Sequence, residues 1–161
     1  MHEQWSPFFI AEVGAAAALA GMLFVALSIN LAEIVKDPVL PGRALETVSI
    51  LTGALLTGSL MLIPEQDPPF LGVELVAVAL AAWLVVASLE LRRWRVIDPR
   101  YRSTLPGQVA LGQLATLPAV VAGALLVADH PAGYAVLAVG ILASFVAAIV
   151  NAWVLLVEIL R

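Results

Sequence analysis

Long apolar stretches separated by short polar turns constrain this chain more than any other feature. Because an α-helix rises about 1.5 Å per residue, roughly 20 apolar residues cross the hydrocarbon core of a bilayer. Five stretches reach about that length, at residues 8–34, 45–63, 70–91, 105–127 and 133–160. They predict an all-α fold, a polytopic bundle of five transmembrane helices in a single transmembrane domain over residues 1–161.

The composition points to the same environment. Apolar residues make up 62% of the chain and charged residues 12%, whereas a soluble domain is roughly half apolar and one quarter charged. A soluble chain of this size could not bury so much apolar surface, so the bilayer has to act as part of the solvent. The first residues contain no Lys or Arg, which a secretory signal peptide needs at its start. We therefore interpret the first apolar stretch as a retained span.

The basic residues predict the orientation of the spans. They are Lys36, Arg43, Arg92, Arg93, Arg95, Arg100, Arg102 and Arg161. With five spans and an outer N-terminus, all eight lie on the cytoplasmic side, where basic loop residues concentrate. We therefore predict an outer N-terminus and a cytoplasmic C-terminus. The outer turns carry acidic residues without basic ones, which either concentrates cations there or only reflects the depletion of basic residues from translocated loops.

The first span has two distinct faces. Small residues let helix backbones approach closely in lipid, so a stripe of them predicts tight helix packing. The stripe on the first span comprises Gly14, Ala18, Gly21, Val25, Ser28 and Ala32. Similar spacing recurs in the second and fifth spans, at Ser49, Gly53, Thr57, Gly140, Ser144 and Ala148. The face nearly opposite on the first span is polar at its ends and comprises Glu12, Ala16, Leu19, Leu23, Ala26, Asn30 and Glu33.

Polar side chains inside a bilayer are costly, which makes them functional candidates. These candidates are Glu12, Asn30, Glu33, Gln113 and Asn151. The amides are equally compatible with interhelical hydrogen bonds that hold the spans together. Glutamates at the inner ends of spans are compatible with interfacial ion pairing to nearby Lys or Arg; they are Glu33, Glu46, Glu90 and Glu158.

The loop after the third span is rich in arginine. It holds Arg92, Arg93, Arg95, Arg100 and Arg102. A short juxtamembrane loop of this charge predicts contact with anionic lipid headgroups. A nucleic-acid patch is the alternative for such a cluster, but the position directly beside a span favours lipid, and we expect no nucleic-acid partner.

No catalytic constellation occurs in the sequence. HExxH, GxSxG, P-loop and GxGxxG motifs are missing, and the chain has no cysteine for thiolate chemistry. His2 and His130 are both predicted outside, where Glu3 and Asp129 are further metal ligands in principle, but their spacing matches no ligand pattern. We predict no enzymatic activity, no metal and no cofactor.

Two segments resemble a known family. They are WSPFFIAEVGAAAALAGMLFVALSINL at residues 5–31 and LPGRALE at residues 40–46. Together they resemble a family of short bacterial membrane proteins, some of which carry the label modulator of FtsH protease. The resemblance covers about the first third of the chain and implies the bacterial cytoplasmic (inner) membrane and regulation of a membrane protease. It implies no functional residues.

The segment AALAGMLFVAL, at residues 17–27, is also similar to the first span of the Orai calcium channels in its Gly and Val placement. The pore glutamate of that family falls at Ile29 and its basic pore residue at Gly14. The likeness therefore implies a way of packing a central helix and does not extend to calcium selectivity.

Two functions are compatible with these features. In the first, the protein is a homo-oligomeric channel or transporter for cations, with the first helix near a pathway on the oligomer axis. The pathway residues would then be Glu12, Leu19, Leu23, Asn30 and Glu33, unless the small-residue face lines the axis instead. In the alternative, it is a structural or regulatory subunit that binds another membrane protein, such as a protease.

Overall fold

The computed structural model describes residues 2–96 and 105–159. Six helices account for most of this part of the chain, and no β-strand occurs within it, which confirms the all-α prediction. The helices are α1 (His2–Ile29), α2 (Leu31–Ile34), α3 (Leu40–Leu60), α4 (Pro68–Val96), α5 (Leu105–Val127) and α6 (Ala132–Ile159).

Within the described residues, four helices are long and apolar enough to cross a membrane, which makes this a multi-pass membrane protein. They are Gln4–Ile29 within α1, Pro68–Val96, Leu105–Val127, and Ala132–Leu155 within α6. The remaining long helix, α3, has 21 residues and carries Arg43 and Glu46 in its first two turns. It is not among the four.

The last four long helices form a closed bundle. Each of α3, α4, α5 and α6 packs against the next, and α6 returns to α3. Helix α1 lies outside this ring, against α3 and more lightly against α6. Its peripheral place is clear from burial, because only 17% of its apolar stretch is buried, against 50% of the α6 stretch.

Local side-chain chemistry sets the ends of α1 and α3. Helix α1 ends at Ile29, directly before Asn30, whose Nδ2 donates to the Ala26 carbonyl at 2.9 Å and so competes for a helical acceptor. Asp37 lies two residues before Val39, the N-cap of α3, and its Oδ1 accepts from the Val39 N–H at 2.7 Å and the Leu40 N–H at 3.1 Å, which satisfies backbone donors at the start of the helix.

The two ends of the bundle differ in charge. We call the end where α3 begins and α4 ends the basic end, because it holds Lys36, Arg43, Arg92, Arg93 and Arg95. The opposite end is the acidic end; its turns include Glu65 and Asp129, both in the left-handed backbone region with φ of 58° and 53°. The bundle core at the acidic end is apolar and aromatic, built from Phe9, Met61, Leu71, Leu75, Leu126, Tyr134 and Leu137.

Helices α4 and α5 make a close backbone contact near the acidic end. A Cβ on Gly72 would lie 2.5 Å from the Val127 backbone nitrogen and 2.8 Å from the Gly123 carbonyl oxygen. A Cβ on Gly123 would in turn lie 2.8 Å from the Val76 backbone nitrogen. The two helices can therefore touch through their backbones only because both positions are glycine.

Candidate functional site: a buried charged cluster

Four charged side chains are buried together at the basic end of the bundle. Arg43 and Glu46 come from α3, and Glu90 and Arg93 come from α4; their exposed fractions are 7%, 1%, 5% and 6%. We call these four residues the charged cluster. Burying an ion without compensation costs roughly several kcal/mol, so a buried cluster of this kind is a candidate functional site.

Helix geometry explains why these four residues meet. Each pair is separated by three residues, so both members lie on one face of their helix, about one turn apart. Helices α3 and α4 are sequential and antiparallel, which brings the start of α3 beside the end of α4. Arg43 is close enough to Arg93 for Coulombic repulsion, and the two arginines and two glutamates together carry no net formal charge.

An ion pair and a hydrogen bond fix the position of Arg93 on α4. Arg93 Nη2 pairs with Glu46 Oε2 on α3. Arg93 Nη1 donates to Gln108 Oε1 on α5 at 3.2 Å. The Arg93 guanidinium therefore links three helices at the basic end.

A second chain of hydrogen bonds holds Glu90. Trp83 Nε1 donates to Gln113 Oε1 at 2.7 Å. Gln113 Nε2 then donates to Glu90 Oε2, also at 2.7 Å. The amide of Gln113 is thus fixed in one orientation, and it fixes one oxygen of the Glu90 carboxyl group.

The other oxygen of Glu90 points at Gly112 of α5. A Cβ on Gly112 would meet Glu90 Oε1, and it would lie 3.5 Å from Glu46 Oε1. The two carboxyl groups therefore converge on the same glycine from two helices. Glu90 Oε1 is buried and has no hydrogen-bond partner among the described residues.

A small hydroxyl-lined cavity lies further along the bundle core. Its polar lining is Thr57, Thr116 and Ser144, and its volume is about 20 Å³. Thr116 Oγ1 donates to the Gly112 carbonyl at 2.9 Å, and Ser144 Oγ donates across to the Ala115 carbonyl at 2.8 Å. A cavity of roughly 10–15 Å³ already accommodates one water molecule, so this one has room for a single water.

The predicted pathway residues of α1 do not form one open surface. Leu23 is buried against Leu51 and Ala148, and half-buried Leu19 packs beside it. The polar-ended face of α1 is therefore turned toward α3 and α6 of its own chain.

The polar residues of that face are separated from one another. Glu12 is half-buried, and its Oε2 is buried with no hydrogen-bond partner in the described part of the chain. Asn30 bonds its own helix. Glu33 is exposed and pairs with Lys36 at 2.7 Å. None of these three belongs to the charged cluster.

The small-residue face of α1 is turned away from the bundle. All of its members are exposed: Gly14, Ala18, Gly21, Val25, Ser28 and Ala32. A Cβ on Gly14 or Gly21 would meet nothing within 4 Å. The Ser28 hydroxyl bonds only its own helix, at the Phe24 carbonyl. This face therefore makes no close contact within the described chain.

The small residues predicted in the second and fifth spans have mixed placements. A Cβ on Gly53 would lie 3.2 Å from Ala82 Cβ, and one on Gly140 would lie 3.0 Å from Pro118 Cβ. Both glycines therefore lie at helix contacts, as do Thr57 and Ser144 at the hydroxyl-lined cavity. The Ser49 hydroxyl bonds the Leu45 carbonyl of its own helix. Asn151 is buried on α6.

The predicted lipid contacts divide into two groups. Arg92 and Arg95 are exposed, beside Trp94, which is 41% exposed. Arg93 instead turns inward to Glu46, so it is not available to a headgroup. Arg100 and Arg102 lie outside the described residues.

The sequence does not predict that the residues of the charged cluster come together inside the bundle. The sequence predicts interfacial ion pairing of Glu46 and Glu90 with nearby Lys or Arg, and Glu46 does pair with Arg93, but both glutamates are buried and Glu90 accepts from Gln113 instead. One signal was available: Arg-x-x-Glu begins α3 and Glu-x-x-Arg ends α4, two antiparallel neighbours. Among the described residues, no group of three or more His, Cys, Asp or Glu is placed to hold a metal ion.

Comparison of the chain with protein-family models, with curated proteins and with solved structures gave no match. The function has to be inferred from the residues of the chain and from their geometry.

Proposed function

We propose that this protein is a small membrane transporter or channel for cations, and that the charged cluster inside its four-helix bundle is the ion-binding station. The observation that carries the proposal is the convergence of the buried Glu46 and Glu90 carboxyl groups on Gly112. Ionisable groups inside membrane bundles commonly mark ion pathways and proton relays. If the four charged residues only held α3 and α4 together, apolar side chains of similar volume would stabilise that contact equally well.

The distribution of polar groups along the bundle supports this proposal. From the basic end, the charged cluster is followed by the apolar residues Ile50, Val86, Ala115 and Ala147 and by the hydroxyl-lined cavity. The apolar core then closes the acidic end. A transporter that is closed toward one side of the membrane is expected to have a packed apolar core at its closed end and polar groups at its other end.

The proposal includes five spans in a bacterial cytoplasmic membrane, with the N-terminus outside. Its support is that α3 packs side by side with α1, α4 and α6, so it would cross the bilayer together with them. The basic end would then face the cytoplasm. A reporter enzyme fused to the C-terminus should be active in the cytoplasm, and a periplasmic signal would contradict this topology.

Cation flux into vesicles containing the purified protein tests the proposal. We expect Glu90→Gln to lower flux at least about tenfold, the effect of roughly 1.4 kcal/mol on a barrier. The matched control is Glu33→Gln, which removes an exposed glutamate at the same end of the protein and should leave flux unchanged. Equal flux in the two variants would contradict the proposed role of the cluster.

The role of Glu46 requires a different experiment, because Glu46→Gln alone leaves Arg93 buried without its ion-pair partner. Breaking a buried pair in that way typically costs about 3–5 kcal/mol. The combined variant Glu46→Gln with Arg93→Gln removes both charges and should remain folded, as judged by its elution and its melting temperature in detergent. We expect this folded variant to lack flux. Flux at the wild-type rate would exclude Glu46 from the station.

The second candidate function is that of a subunit that binds a further membrane protein through α1. The observation that favours it is the outward small-residue face, which is suited to close helix contact but meets nothing in its own chain. A second copy of this chain on that face would give the homo-oligomer that the first hypothesis includes. A different membrane protein there would give a regulatory subunit.

Cysteine crosslinking separates these partners, because the chain has no native cysteine. The variant Gly21→Cys has its single thiol on the small-residue face. The control variant Ile149→Cys has its single thiol at an exposed position of α6. A self-crosslink confined to Gly21→Cys indicates a homo-oligomer, and a crosslink to another protein indicates a subunit. If neither forms in membranes, this face contacts only lipid.

A further inference from the structure

We propose that the cation held by this station is a proton, shared between Glu90 and Glu46. The inference rests on the proposed function, since it names the ion that the charged cluster binds. It goes beyond that function because it assigns the ion to particular oxygen atoms.

The unequal surroundings of the two Glu90 oxygens are the first argument. Oε2 accepts a hydrogen bond from Gln113, whereas Oε1 is buried without any partner in the described part of the chain. A buried acceptor that lacks a donor is costly and rare. A proton on Oε1 changes that oxygen from an unsatisfied acceptor into a donor.

An acceptor for that proton lies nearby. Glu46 Oε1 and Glu90 Oε1 both flank the position of a Cβ on Gly112. Arg93 pairs with Glu46 Oε2, so Oε1 is the oxygen of Glu46 that lies with Glu90 Oε1 around the Gly112 Cβ position. Two carboxyl groups in one low-dielectric site commonly share one proton, because they resist being charged together.

Among the described residues, the station has no group of three or more acidic, cysteine or histidine side chains placed to hold a metal ion. Hard cations such as Mg²⁺ and Ca²⁺ take roughly six or more oxygen ligands. A proton adds the same charge as a monovalent metal ion to the otherwise neutral cluster, but it needs no ligand shell and no space.

Among the residues that the structure describes, the charged groups that face the station come from α3 and α4. They are Arg43 and Glu46 on α3, and Glu90 and Arg93 on α4. Helix α5 contributes the neutral amides of Gln108 and Gln113. Within residues 132–155 of α6, the only titratable side chain is Tyr134, which lies in the apolar core of the acidic end.

The residues around Gly112 also indicate the direction in which the proton moves through the bundle, from the basic end toward the acidic end. Protonation from the basic end converts hydronium to water and places the proton on Glu90 Oε1; release reverses the step. Thr116 lies one helical turn further along α5, bonded to the Gly112 carbonyl, and borders the cavity that has room for one water. Hydroxyl groups and a water there are the next proton carriers toward the acidic end.

Infrared difference spectroscopy on the whole protein in lipid tests the proton site directly. A protonated carboxyl group has a carbonyl stretch that a carboxylate lacks. We expect such a band at mildly acidic pH, its reversible loss at alkaline pH, and its absence from Glu90→Gln. The band should persist in the control Glu33→Gln. A spectrum without a Glu90-dependent band at any of these pH values would overturn the inference.

Flux measurements in vesicles distinguish failure of the inference from failure of the proposed function. Proton flux is measured with a pH-sensitive dye. If proton flux is present in the wild-type protein and lost in Glu90→Gln, the proton assignment and the transport function are both supported. Glu90-dependent sodium or potassium flux without proton flux overturns the proton assignment and leaves a cation transporter. A Glu90 band in the infrared spectrum with no flux of any cation supports the proton site and overturns the transport function.

Discussion

Among single residues, Gly112 on α5 is a tightly constrained position beside the charged cluster. Its missing side chain leaves the space in which the Glu46 and Glu90 carboxyl groups converge. The sequence identified Gln113, its neighbour, as an intramembrane polar residue. It could not identify the partners of Gln113, because Trp83 and Glu90 lie 30 and 23 residues away along the chain. Only the packing of α4 on α5 brings them together.

Gly112→Ala should therefore destabilise the protein and displace Glu90. The added methyl group meets a buried carboxyl oxygen, and overpacking of this kind typically costs about 1–3 kcal/mol. The measurement is the melting temperature in detergent, together with flux. Gly107→Ala on the same helix is the control, because a Cβ there meets nothing within 4 Å and alanine favours a helix. Equal stability of the two variants would contradict the tight contact at Gly112.

The hydrogen bonds from Trp83 to Gln113 and on to Glu90 should behave as one unit. Trp83→Phe removes one donor, and interhelical hydrogen bonds in membranes average about 0.6 kcal/mol with an upper value of roughly 1.7. Gln113→Leu should cost more, since it leaves Glu90 Oε2 without its donor. A double-mutant cycle measured by unfolding in detergent should show a loss smaller than the sum of the single losses. Strict additivity would show that the two bonds are independent.

At the scale of helices, the apolar pattern of the sequence located the long elements but not their ends. The predicted stretch 105–127 coincides with α5, whereas 70–91 falls short of α4, which continues to Val96. Backbone hydrogen bonding continues a helix past the apolar zone, so hydropathy alone underestimates its length. The stretch 8–34 predicts one continuous helix, whereas the structure interrupts it at Asn30, between α1 and the four-residue α2 that ends at Ile34, because the Asn30 side chain competes for a backbone acceptor.

Glycine contacts between helices were also only partly predictable. The contact of Gly72 with Gly123 was missed because Gly72 has no small residue four positions away on its own helix. The stripe on α1 was recognised because its spacing lies within one helix. A pattern along one helix shows which residues share a face, but it does not show which neighbour that face meets.

Gly72→Ala should loosen the contact between α4 and α5. The added Cβ would lie 2.5 Å from a backbone nitrogen of α5, so the helices have to separate. We expect a loss of stability of about 1–3 kcal/mol, measured by unfolding in detergent. Gly14→Ala on α1 is the matched control, since its Cβ position is open and its stability should not fall. A neutral Gly72→Ala would contradict the backbone contact.

Two alanines on opposite faces of α1 test its orientation. Ala16 is fully buried and Ala18 is exposed. Ala16→Leu should destabilise the fold by overpacking the contact with the bundle, typically by about 1–3 kcal/mol. Ala18→Leu should leave unfolding unchanged but abolish any crosslink formed through Gly21→Cys. The reverse pattern would mean that α1 is rotated, with its polar-ended face outward.

At the scale of the whole molecule, the ion pathway that we propose lies inside the bundle of one chain, whereas the sequence predicts one along α1. The all-α class and the multi-pass membrane character followed from composition and hydropathy, because a chain this apolar needs lipid around its helices. The site did not follow, since a cluster assembled from the ends of two helices and a glycine on a third leaves no continuous pattern in the sequence.

The mass of the purified protein in mild detergent, corrected for bound detergent, tests the predicted homo-oligomer. The apolar small-residue face of α1 is expected to hold the copies together, so the mass should be a multiple of 16.9 kDa. Ala18→Leu should shift the protein toward the monomer. A monomeric wild-type protein would contradict self-association, although an ion pathway inside one bundle would still be compatible with that result.

The central claim is that the Glu90 carboxyl group inside the bundle carries the transported cation. Side-by-side flux measurements on Glu90→Gln and Glu33→Gln, at equal protein density in vesicles, test it most directly. The account predicts wild-type flux for Glu33→Gln and a loss of at least about tenfold for Glu90→Gln, with both variants eluting as the folded protein. Wild-type flux in both variants would show that the charged cluster only holds α3, α4 and α5 together.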